Sequence, residues 1–264
     1  MHKMKQSLVI FLLFAMSLKG IAQTHNYFVF GVGFSLAKDL DRGQSPLIYK
    51  GLCPVIKLGY ESYSPQWIKM LFIDLQYGKL KNRFSPDFPG EKPHLIVGRI
   101  NYSVYKGGWV KPKKMNFFPG LFLDITSNMR VLPKLGNSAL GYEILSDIGL
   151  TCLTQNKMKQ ENSHLSFSHS LQIPIASYLF RSNYVSMMNY IDPKATYART
   201  ILSDGEFVSL NRLFRITSQV SSSYISASNN RLNLTWKWDY FSCNTSNRSE
   251  SMQNMFVFSP MYNF

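Results

Sequence analysis

The chain has 264 residues, 45% of them hydrophobic and 14% aromatic, with a formal charge of +14 and a mean hydropathy of −0.12. Beyond the N-terminus no run approaches the roughly 20 apolar residues that a membrane-crossing helix needs, which excludes a helical membrane protein. Apolar content is dispersed, as alternation would disperse it, and the length suits one all-β domain with no evident linker.

At the N-terminus Lys3 and Lys5 precede an apolar run from Leu8 to Leu18, and Gly20 and Ala22 place small residues three and one before a cut. The pattern predicts a signal peptide over residues 1 to 22, with residues 23 to 264 as the mature domain. The run is too short for an anchor, and Gln23 stands where a lipoprotein would carry Cys. Cleavage removes Lys3, Lys5 and Lys19 and no acid, lowering the charge from +14 to +11. A basic balance points to an anionic partner. Export turns that expectation away from nucleic acid and toward phosphorylated lipid headgroups. Cys53, Cys152 and Cys243 are odd in number and far apart, with neither metal spacing nor a framework pattern; one disulfide, or small buried or lipid-facing residues, both fit.

Alternation with a period of two predicts the strands in turn. From Tyr27 to Ala37 the file Phe28, Phe30, Val32, Phe34, Leu36 opposes Tyr27, Val29, Gly31, Gly33, Ser35. Cys53 to Tyr63 and Trp67 to Lys79 form a hairpin across Ser64 to Gln66. Leu95 to Tyr105 follows a polar loop at Lys81 to Lys92, and a Gly/Lys-rich turn leads to Asn116 to Val131. Leu140 to Leu153 ends at a polar turn, Gln155 to Asn162, and Ser163 to Ile175 is the seventh strand. An irregular stretch from Ser177 to Gly205 precedes an eighth strand at Phe207 to Tyr224. Leu232, Leu234, Trp236, Trp238 and Tyr240 mark the ninth, and Met255 to Phe264 is the tenth, with Phe256, Phe258, Tyr262 and Phe264 on one face.

Every apolar file lacks charge over its centre. The opposite files carry Lys57, Glu61, Asp74, Arg99, Asp124, Arg130, Glu143, Asp147, Arg215, Lys237 and Asp239. Basic residues at a lipid-facing midplane cost about 2–4 kcal/mol each, so charge-free faces suit lipid. A secreted soluble β-sandwich would show the same alternation, with its apolar files inside.

An alternating strand ending on aromatic Phe264 resembles the closing strand and assembly signal of Gram-negative outer-membrane β-barrels. The resemblance implies an all-β, antiparallel, up-and-down transmembrane β-barrel of about ten strands, with eight or twelve as fallback, in the outer membrane. Both termini then face the periplasm, and four of the five outer connections are at least as long as the inward ones beside them. Implied partners are outer-membrane lipids, including anionic lipopolysaccharide headgroups, and the barrel assembly machinery, with no nucleic acid. The eleven charged residues become a polar network in a closed or narrow lumen, and Trp236, Trp238, Tyr240, Phe256, Tyr262 and Phe264 an aromatic girdle.

No metal spacing, phosphate loop or cofactor motif occurs, so no cofactor and no metal is expected. His164 and Ser166 are the candidate catalytic pair, two apart on one face. They resemble the His-x-Ser of outer-membrane phospholipase A and the lipid A deacylases in spacing alone, since Phe167 stands where Asn usually follows. The register places this pair in the lumen, and it places His169 toward lipid without a serine beside it. Asp39, Asp41 and Arg42 are read as charges of a first outer loop, solvated in the plain reading and able to bind a cation in the functional one. Tyr178, Phe180, Tyr184, Met187, Met188 and Tyr190 make the 177–205 connection apolar enough to cap the mouth, fold inward or contact a protein or ligand partner. The functional expectation is a non-enzymatic structural or binding barrel, against a porin-like diffusion pore or a lipid-modifying hydrolase.

Overall fold

The computed structural model describes residues 25–42, 45–83, 92–107, 116–132, 140–160, 163–181, 205–209, 212–226, 229–244 and 248–264. The predicted signal peptide, Glu161 and Asn162, and 182–204 with Tyr184, Met187, Met188 and Tyr190 lie outside them. Among the described residues there are eleven strands and no helix. The strands are β1 His25–Asp41, β2 Ser45–Tyr63, β3 Trp67–Lys79, β4 His94–Lys106, β5 Asn116–Val131, β6 Leu140–Gln160, β7 Ser163–Arg181, β8 Glu206–Ser209, β9 Leu213–Ile225, β10 Arg231–Asn244 and β11 Arg248–Asn263.

Strands β1 to β7 and β9 to β11 pair antiparallel in chain order, with β9 on β7 rather than on β8, and β11 returns to β1. The sheet is thus a closed ring of ten, with the four-residue β8 as an extra strand on the upper edge of β7. Closure removes every long edge. It also overturns the β-sandwich, and ten replaces the eight- and twelve-strand fallbacks.

The faces follow the alternation. Phe28, Phe30, Val32, Phe34 and Leu36 are 42–50% exposed on the outer wall, whereas Tyr27, Val29, Ser35 and Ala37 are buried inside. An apolar outward file of this kind suits lipid and not water. The nine residues from Phe28 to Leu36 run about 26 Å along a strand, which tilt reduces to the height of a lipid core.

Ring strands of 13 to 21 residues exceed the 9–11 or so that cross a bilayer, so the barrel projects beyond its belt. Several predicted boundaries move accordingly. β1 continues through Asp39 and Asp41, which are therefore not loop residues. Gln155 to Gln160 belongs to β6 rather than to a turn. β7 runs on to Arg181, taking Tyr178 and Phe180 out of the irregular stretch; Tyr178 packs on Phe207 at 5.0 Å and Phe180 on Tyr142 at 5.4 Å. The predicted eighth strand is two, broken between β8 and β9. Extension also trims the far-end connections 42–44 and 245–247, so loop length marks that end mainly through 80–93 and 182–205.

One irregularity sets the inner wall. Ile148 of β6 faces Ala176 but Gly149 faces Pro174, leaving Ile175 as an extra residue in β7. Below this bulge Gln172 points inward; above it the parity flips, and Ser177 and Leu179 point inward. Bulges have this effect because one added residue exchanges the two faces of a strand.

Candidate functional site

The interior is filled in layers. Toward the far end two apolar clusters face each other, Ala37, Tyr49, Cys53, Leu80, Leu95, Val97 and Leu132 on one side and Leu145, Leu179, Val208, Leu213, Phe241 and Cys243 on the other. Between them Arg130 pairs with Asp39 at 2.8 Å, with Asp41 and with Glu143 at 3.9 Å. Arg181 pairs with Asp41 and reaches Glu143 at 3.5 Å. Asp39 and Asp41 are thus bound inside and do not form an outer cation loop; Arg42 remains exposed.

The middle layer is a cross-lumen cluster. Arg99 donates to Asp124 at 2.5 Å and to Asp239 at 2.9 Å. Arg215 reaches Asp147 and Asp239 at 2.8 Å each and Asp124 at 3.1 Å. Thr126 and Thr217 fill remaining positions on these groups. Below, Lys237 donates to Asp74 at 2.9 Å, Lys57 lies 3.9 Å over the Phe72 ring, and Glu61 accepts from the Tyr63 hydroxyl at 2.6 Å. Arg231 stacks over Tyr27 at 4.0 Å and Tyr63 at 4.7 Å near the terminus-bearing end. All eleven charged residues of the inward files therefore project inside, joined by Asp39, Asp41, Arg181 and Arg231.

The geometry of closure is specific. Arg99 on β4 and Asp239 on β10 stand five strands apart around a ring of ten, so their 2.9 Å bond crosses the full bore. Gln76 to Gln253 at 3.1 Å and Asn101 to Gln172 at 3.2 Å are further cross-bore bonds. A cavity with about 20 Å³ open to a water's centre remains beside Lys57, Asp74, Gln172 and Lys237, room for a water or two. Charges removed from water require such partners to offset desolvation.

The charge is partitioned. Eight carboxylates and seven cations line the described interior, of the 15 acids and 29 Lys and Arg in the chain. The inside is near neutral, so the basic excess of the described residues lies on the outer wall and the rims.

On the outer wall Trp236 stacks on Phe256 at 6.5 Å and Trp238 on Tyr240 at 6.3 Å. Phe264 lies 6.3 Å from Tyr60, and Tyr262 is 55% exposed. Cys53 and Cys243 are buried within the interior clusters, and Cys152 is half-buried. Among the described residues no group of His, Cys, Asp or Glu is disposed to hold a metal.

Ser166 lies on the inward file opposite Ser223 of β9; the His164 side chain lies outside the described residues. A different pair forms outside: His169 Nε2 stands 3.0 Å from Ser218 Oγ. Ser218 sits on β9, opposite Leu171, so no local spacing could have announced it. No described carboxylate pairs with the His169 ring.

No family model matches the sequence, and no curated protein resembles it significantly. Among solved structures, the outer-membrane protease OmpT of Escherichia coli superposes with a TM-score of 0.53 at 10% identity, over 94% of this chain and 99% of that one. The fold is that of the Gram-negative outer-membrane β-barrels. Looser superpositions are found with the translocator domain of the autotransporter NalP of Neisseria meningitidis (TM-score 0.40, 6% identity, 100% and 96% covered) and the P. putida toluene transporter TodX (0.36, 11%, 94% and 92%). At these identities the likeness reaches the barrel and not the activity of any of the three.

Proposed function

We propose that the protein is a non-conducting outer-membrane barrel, exported by residues 1 to 22, with a structural or binding role exercised at its far rim and connections. The observation that carries this reading is the Arg99 to Asp239 bond across the full bore, inside a cluster with Asp124, Asp147 and Arg215. A diffusion pore needs a continuous water path, and the layered interior favours a sealed bore. In this reading both termini face the periplasm, the outer wall contacts lipid including anionic lipopolysaccharide headgroups, and Phe264 is recognised by the barrel assembly machinery. In the test, the full chain fractionates with outer membranes, runs with heat-dependent mobility, and leaves liposomes in an isotonic small-sugar solution unswollen. Swelling at a rate proportional to protein added contradicts the reading.

A second reading rests on the His169 and Ser218 pair, which transfers the hydrolase alternative from the lumen to the outer wall. There the serine oxygen would attack a lipid ester carbonyl while its proton passes to the ring nitrogen; the ester C–O bond breaks as the ring returns that proton to the departing alcohol, and water then hydrolyses the acyl-serine to release the fatty acid. The lack of a described carboxylate to orient the ring places this second. Fatty-acid release lost in Ser218→Ala and kept in Ser166→Ala supports it; no release by the wild type removes it.

A further inference from the structure

On β1, β2 and the end of β3, lysines interrupt or end the apolar outward file near one level, with Ile48 resuming it beyond Lys50 on β2. Lys38 follows Leu36, Lys50 lies just above Leu52, and Lys79 follows Tyr77. These residues face outward, as does Lys81, and they meet in register. Lys38 is directly opposite Lys50, and Lys50 is directly opposite Lys81, with both backbone N–H groups exchanged at 2.7 Å. Lys79 stands one step below, opposite Leu52 across β2 and level with His94 on β4.

Like charges directly opposite on neighbouring strands repel and destabilise the sheet. Of the described carboxylates around the row, Asp39 and Asp41 turn inward to Arg130 and Arg181, and Glu250, opposite Leu40, accepts from Arg248 at 2.7 Å; Asp87 and Glu91 lie outside the described residues. Among the described residues none of the four lysines has an ion-pair partner. Three ammonium groups in one row, with a fourth below and an apolar wall beneath, define a slot for a group with several negative oxygens whose hydrophobic part lies along the belt.

We propose that Lys38, Lys50, Lys79 and Lys81 form a binding site for the phosphate of an anionic lipid headgroup in the leaflet at the far end of the barrel, with the lipid's acyl chains against Leu36, Leu52 and Tyr77. The inference rests on the outer-membrane reading, which makes that leaflet the outer one. The lysines supply the charge, and the register supplies the spacing. The bound phosphate converts mutual repulsion into a shared counter-charge, and the exposed apolar file selects a lipid over a soluble anion.

The test uses the refolded full chain in phosphatidylcholine vesicles doped with diphosphorylated lipid A or with its dephosphorylated form, reading the affinity and the shift in the thermal midpoint of barrel unfolding. Lys50→Gln, at the centre of the row, weakens binding of the phosphorylated lipid about fivefold. Replacing all four lysines by Gln abolishes the midpoint shift while leaving the lipid-free barrel as stable as wild type or more so. Dephosphorylated lipid gives no shift, and inorganic phosphate at the same concentration gives none. Lys69→Gln with Lys106→Gln, outward but toward the other end, leaves binding unchanged. Equal binding by wild type and the four-lysine variant, an equal loss in the Lys69 and Lys106 control, or full protection by inorganic phosphate overturns the site. Failure to insert at all, read by heat-dependent mobility, would instead count against the outer-membrane reading.

Discussion

Arg215 is the side chain on which the interior depends most, because three carboxylates, Asp124, Asp147 and Asp239, share its guanidinium. Removing one partner of a buried ion cluster leaves uncompensated charge at about 3–5 kcal/mol. Arg215→Met is therefore expected to lower the urea-unfolding free energy of the vesicle-inserted barrel by that amount. Lys57→Met, which removes a buried ammonium over the Phe72 ring that also attracts Glu61 and Asp74, costs about 2 kcal/mol. On the outer wall, Val32→Arg places a cation at the centre of the Phe28 to Leu36 file and costs about 2–4 kcal/mol in the same titration. The inward sites were legible as residues because charge over the centre of each strand falls on one parity. Asp39 and Asp41 keep the parity of Tyr27 and Val29, and extending β1 by four residues would have placed them inside as well.

At the scale of elements, the β7 bulge divides what the sequence revealed from what it hid. Simple alternation from Gln172 would turn Arg181 outward; the extra residue Ile175 reverses the parity and brings it to Asp41 and Glu143. Nothing in the pattern around Pro174 distinguishes a bulge from a continuing strand, because Ile175 and Ala176 read as ordinary strand residues. Deleting Ile175 joins Pro174 to Ala176, whose partners Gly149 and Ile148 are already consecutive, and is expected to leave a regular ladder with Ser177, Leu179 and Arg181 still inward. The Ser177 to Asp147 bond and the folded, heat-modifiable fraction are then retained, as they are in Ile175→Val; loss of the folded fraction on deletion would count against the bulge. The split between β8 and β9 has the same root, since β9 pairs with β7 only up to Gln172 and β8 takes over from Ala176.

For the whole molecule, two-faced alternation and the aromatic terminus were enough to predict a closed barrel of ten, because lipid outside and a narrow bore inside constrain every strand alike. Contacts between distant strands were not legible. His169 and Ser218 are 49 positions apart, and the filling of the bore by apolar clusters as well as ions depends on which residues meet across it. The central claim is that these contacts seal the barrel. Planar-bilayer recording tests it most directly: the wild-type protein should show no stable conducting state, while Arg99→Ser with Asp239→Ser, which removes the bond across the full bore, should give small discrete openings. Stable wild-type conductance of the same size as the double variant's would contradict the account.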